Sequence, residues 1–70
     1  MAKANWPDVE ALVKAWFEQG LKPDRGDLVA LAYAQDANDD VIDALDSLGP
    51  RPVESLESLK DLLARNDTLA

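Results

Sequence analysis

Aspartates carry most of the chemistry this chain could do. Asp36, Asn38 and Asp40 stand at the first, third and fifth positions of a calcium loop, where side-chain oxygens converge on a hard cation. Such a loop next needs a glycine and, near its end, a bidentate glutamate, and the sequence supplies Val41 and Ser47. An acidic helix start is the better account, and no metal site is expected. Six acids and no base lie between Gly26 and Pro50. At helical spacing Asp39, Asp40, Asp43 and Asp46 gather on one side of a helix, opposite Val41, Ile42, Leu45 and Leu48. Like charges three and four residues apart cost a helix a few tenths of a kcal/mol per pair. The bland reading of this face is solubility; the functional one is a surface for a basic partner, or for a nucleic-acid-binding protein that takes the carboxylates for a phosphate backbone.

Asp46-Ser47-Leu48 has the form of an acyl carrier's attachment site, whose serine accepts phosphopantetheine. In acyl carriers that serine opens a long helix, whereas Ser47 falls near a helix end just before Gly49-Pro50, so a solvated serine is the expectation and no cofactor is assigned. Trp6, Phe17 and Tyr33 are the aromatics least firmly tied to a core stripe. Trp6 is expected to staple the first helix. Phe17 and Tyr33, if exposed, would serve as the aromatic anchors that protein interfaces favour.

The elements that must position these groups are punctuated clearly, with helices expected at about 6–19, 25–35, 39–48 and 56–65. Asn5 with Asp8, and Asp24 with Asp27, each have the spacing of an N-terminal capping box, while Pro7 suits a first turn and Gly20 ends the first run. Val9, Leu12, Val13 and Trp16 share one face of that first helix. Every residue from Leu28 to Ala34 is apolar, so the second helix is expected to be the most buried and central, with Val29 and Tyr33 packed on a second neighbour. Asn38 caps the third helix, and Gly49-Pro50 stops it. Val53 points inward and Ser55 caps the last, which carries Leu56, Leu59, Leu62 and Leu63 on one stripe before a tail at 66–70 expected to fray. The fold expected is all-α: a compact four-helix single domain over 1–70, with short loops and one core.

Composition narrows the function classes. With neither cysteine nor histidine among its 70 residues, the chain has no thiolate, imidazole or ordinary zinc ligand set. Carboxylates can do acid-base work only where an apolar setting tunes them, and the sequence places none in such a setting, so an enzyme and catalytic residues are not expected. Seven basic against fourteen acidic residues give a formal charge of -7, which repels phosphate backbones and anionic lipid. Direct nucleic-acid and membrane binding are therefore not expected. Met1-Ala2-Lys3-Ala4-Asn5 leads into no signal-peptide core, and the lack of cysteine suits a reducing cytoplasm. A hydrophobic content of 47% argues for a folded state despite the charge.

From Leu21 to Leu63 the pattern resembles the bacterial domain of unknown function 2795 family. The matching residues are Asp24-Arg25-Gly26-Asp27-Leu28-Val29, Asp36-Ala37-Asn38-Asp39-Asp40-Val41-Ile42, Ala44-Leu45, Leu48, Arg51, Val53 and Ser55. In that family the turn reads leucine-proline, arginine and then tyrosine before the serine; here Gly49-Pro50 displaces the proline and Val53 replaces the aromatic. The resemblance implies a helical domain of actinobacterial or cyanobacterial type and brings no catalytic residue or cofactor. Taken together, the residues indicate a small non-enzymatic protein-interaction or accessory domain whose partner is another protein or, in a homodimer, itself. Asp39, Asp40, Asp43, Asp46, Phe17 and Tyr33 are the candidate contacts. The alternatives are an acyl-carrier-like or small-ligand-binding domain, and an acidic regulator of a nucleic-acid-binding protein.

Overall fold

A computed structural model describes residues 3–70. Met1 and Ala2, the first residues of the segment inspected for a signal peptide, lie outside the described residues. The chain forms four helices: α1 (Trp6–Glu18), α2 (Arg25–Ala34), α3 (Asp39–Asp46) and α4 (Leu56–Arg65). None is long and apolar enough to cross a membrane.

Local chemistry sets most of the helix ends. At α2 the Asp24 carboxylate accepts the Asp27 backbone N–H at 2.9 Å, and Asp27 accepts the Asp24 N–H in return, completing the expected capping box. Asn38 accepts from Val41 N–H and Ser55 from Ser58 N–H, each satisfying a donor that the helix itself cannot. The box expected at α1 does not form: Asn5 holds the N-cap position with no side-chain bond. There the Asn5 carbonyl accepts the N–H groups of Asp8 and Val9, and Trp6-Pro7 starts the turn. Trp6 is thus the first helical residue rather than a staple before the cap. It is half-buried, with the Lys60 ammonium 5.8 Å from its ring centroid. Ala4 occupies the preceding position and is buried, as is Val9 at the fourth helical residue.

The C-termini of α1, α2 and α4 share one solution. Gly20 takes φ 80°, its N–H donates to the Phe17 carbonyl, and the Leu21 N–H donates to that of Trp16, which is the Schellman arrangement. At α2 and α4 the left-handed residue is Asp36 (φ 55°) and Asp67 (φ 58°), with Ala37 donating to Ala32 and Thr68 to Leu63. Non-glycine residues pay sterically for that conformation, aspartate less than most.

The closest helix contacts are α2 with α3, α1 with α4 and α1 with α2, so α1 and α2 each pack on two neighbours. Val9, Val13, Leu28, Leu45, Leu59 and Leu63 are fully enclosed, so each helix contributes to one core, and no charge is buried among the described residues. Val53 is buried as expected, and its N–H donates to the carbonyl of Pro23 at 2.8 Å, tying the α3–α4 connection to the α1–α2 connection.

Three expectations about packing are corrected. Although α2 does have two neighbours, it is not the most buried element: Ala30, Tyr33 and Ala34 face solvent, and only Leu28 and Ala32 are buried. The shorter α3 buries Val41, Ala44 and Leu45. Leu62 leaves the α4 stripe and is 38% exposed, because α4 packs mainly on α1 and needs only a narrow apolar edge. The 66–70 tail does not fray but folds back: Ala4 N–H donates to the Thr68 carbonyl, Ala70 N–H to that of Ala4, and Lys3 pairs with Asp67.

Two measurements check this account. Leu45→Ala should lower unfolding free energy by about 2–5 kcal/mol in urea titration, since it leaves a cavity in a core with few members. Asp24→Ala should cost about 1 kcal/mol, whereas Asn5→Ala should cost much less, because only the first removes a side-chain cap bond.

Candidate functional site

Packing of α3 on α2 separates its two sides. Val41, Ala44 and Leu45 turn inward and Ile42 is half-buried, so Asp39, Asp43 and Asp46 stand on the outer arc, all exposed. Asp40 departs from that group: it lies on the flank and is partly buried. Among the described residues the ion pairs are Lys3–Asp67, Lys14–Glu18 and Arg65–Asp61, and none engages an acid of the 36–46 segment. Asp39 and Asp40 lie in the first turn, where the helix N-terminus favours negative charge; Asp46 is the last helical residue, where it does not.

The calcium-like spacing of Asp36, Asn38 and Asp40 is divided among three structural jobs. Asp36 takes the left-handed position closing α2, Asn38 caps α3 with its side-chain oxygen, and Asp40 lies within the first turn of α3. Ser47 is the C-cap of α3, and its hydroxyl donates to the Ala44 carbonyl at 2.6 Å. The Asn66 side-chain amide donates to the Ser47 carbonyl at 3.2 Å and to its hydroxyl at 3.3 Å. The hydroxyl is thus held at a helix end, not displayed at a helix start.

The two aromatic candidates part company. Tyr33 is 67% exposed, the most open of the large apolar side chains among the described residues. Phe17 packs half-buried against the core and lines a groove with Lys14, Glu54 and Leu56, between α1 and the start of α4. That groove shares no residue with α3, so Phe17 and the carboxylates do not form one site.

Two further grooves were not anticipated. One, of about 570 Å³, lies between the 48–54 turn and α4, with Arg51, Glu54 and Asp61 giving it mixed charge around Leu48, Val53 and Leu62. The other, of about 490 Å³, runs along α1 past Asp8, Ala11, Leu12, Ala15 and Trp16, and is closed on its far side by Leu31, Ala37, Asn38 and Val41. Its signal was present in the sequence. Positions 8, 11, 12, 15 and 16 recur at helical spacing beside the Val9–Val13 stripe, so the apolar arc of α1 is wider than one core contact requires.

Comparison with protein-family models, curated proteins and solved structures gives no match for this chain.

The charge arrangement on α3 has a measurable cost. Replacing Asp43 and Asp46 together with Asn should raise stability by about 0.5–1 kcal/mol at low ionic strength, by removing like-charge neighbours and an acid at the negative helix end. The gain should shrink as salt is added. An unchanged or lowered denaturation midpoint at low salt would show that these carboxylates serve the fold.

Proposed function

We propose that this chain is a non-enzymatic interaction domain, acting in the cytoplasm, that receives a basic protein partner on the outer face of α3. The observation that carries the reading is the exposed trio Asp39, Asp43 and Asp46, unpaired among the described residues; Asp43 and Asp46, which stand beyond the first turn at like-charge spacing, are the two expected to cost the helix stability. A surface that forgoes stability for uniform negative charge suits electrostatic steering of a cationic partner. The same charge disfavours phosphate and anionic lipid as direct ligands, and it disfavours a homodimer through this face because like charges would meet. Tyr33, near the end of α2, is the more exposed of the two aromatic candidates for anchoring such a contact. The kinship with the domain of unknown function 2795 family is likewise proposed, on the residues quoted above, and it assigns no role to any of them.

The experiment is an affinity capture from the native cell with the chain as bait, beside an Asp39→Asn/Asp43→Asn/Asp46→Asn variant. It is eluted between about 0.01 and 1 M salt, over which the Debye length falls from about 30 to 3 Å. A basic protein held by the parent chain at low salt, released steeply as salt rises, and bound at least tenfold more weakly by the variant is the expected result. Equal capture by both chains would sink the reading.

A further inference from the structure

We propose that the groove between α1 and the α2–α3 corner is a docking site for one amphipathic, lysine- or arginine-flanked helix of a partner protein. The inference rests on the basic-partner reading above and adds the place where that partner's apolar side chains go. The groove wall on α1 is a two-turn stripe, Asp8, Ala11, Leu12, Ala15 and Trp16, at the i, i+3, i+4, i+7 and i+8 spacing by which helices read one another. Ala11 and Ala15 are exposed and small, which leaves room for an incoming backbone to approach; Leu12, Trp16 and Leu31 are half-buried, so each still presents apolar surface. The rise from Asp8 to Trp16 is roughly 12 Å, the length of about two helical turns of a partner.

Charge decides the occupant. Asp8 is the charged residue of the lining; the opposite wall is Leu31, Gln35, Ala37, Asn38 and Val41, and Asp36, Asp39 and Asp40, outside the lining, adjoin those residues in sequence. No lysine or arginine lines the groove, in contrast to the 48–54 groove with Arg51 and the Phe17 groove with Lys14. A second copy of this chain, at net charge -7, would bring like charge to that rim. A helix with leucine-like anchors on one face and bases on its flanks fills the apolar wall and meets the acids together.

The test uses the full chain with two synthetic leucine–lysine peptides of about sixteen residues, roughly four helical turns. One has leucines at helical spacing on one face; its isomer has the same composition with leucines spread around the helix. Binding is followed by amide and indole resonances, those of Trp16 being separated from Trp6 with a Trp6→Phe variant. The expected result is at least tenfold tighter binding of the one-faced peptide, with the Trp16 indole and Leu31 shifting. An Ala11→Gln/Ala15→Gln chain, altered only at exposed helical positions and at unchanged charge, should lose that preference yet still bind the isomer as before. Equal binding of both peptides, with shifts confined to Asp39, Asp43 and Asp46, would overturn the groove and leave the acidic-face reading standing. Failure of both peptides to bind at low salt would overturn both readings.

Discussion

Closing a single apolar core from four short helices, with no cross-link to help, is the constraint on which everything else in this structure depends. A domain of this size buries only about 60% of the surface its unfolded chain exposes, so its stability rests on few side chains. Leu28, Leu45, Leu59 and Leu63 are wholly enclosed together with Val9 and Val13, and they come from all four helices. No helix can leave without opening the core. Helices of 8 to 13 residues are marginal by themselves, and most of their ends are served: side-chain caps start α2, α3 and α4, and Schellman turns close α1, α2 and α4. Ties between distant segments serve the same end, as where Val53 donates to Pro23 or the tail pairs with Ala4.

That economy also produces the surfaces. Because no helix is surrounded on all sides, each gives the core only part of its surface, and apolar residues beyond that part appear outside. On α1 the surplus is the Leu12–Trp16 wall of a groove; on α2 it is Tyr33 and two alanines; on α4 it is Leu62. On α3 the surplus is confined to half-buried Ile42, since Val41, Ala44 and Leu45 turn inward and the outer arc is left to carboxylates. The apolar groove borders the connection where Asp36 ends one helix and Asn38 begins the next, and Asn38 itself lines it. In the proposed complex the carboxylates of α3 would supply attraction and the groove apolar anchoring, the combination that lets a small interface be both fast and selective.

Asp36 shows how one residue can be read two ways. In sequence it opens a metal-like spacing; in the fold it is a left-handed helix terminator, a position glycine fills at lower steric cost. Asp67 does the same at the end of α4, where its carboxylate also meets Lys3. An acid at a helix C-terminus is opposed by the helix dipole, so neither position is explained by helix stability. The turn geometry needs a residue that tolerates positive φ, and aspartate meets that need while adding to the negative surface.

What the amino-acid order determined by itself was local: four helices with their starts at Asp24, Asn38 and Ser55, the stop at Gly20, and the two-sided character of α3. These follow from interactions within a few residues, namely a side-chain oxygen reaching an N–H three positions on, or a periodicity of 3.6. What only the tertiary structure decided was which apolar residues the core would take. Leu62 and Leu63 are neighbours of one type, as are Phe17 and Trp16 in apolar character, yet their fates differ with the neighbour each helix happens to face. Tyr33 was left in solvent and the 66–70 tail was laid against Ala4 for the same reason. Periodicity defines a face, but burial requires something on the other side of it, and that partner is set by packing between residues far apart in the chain.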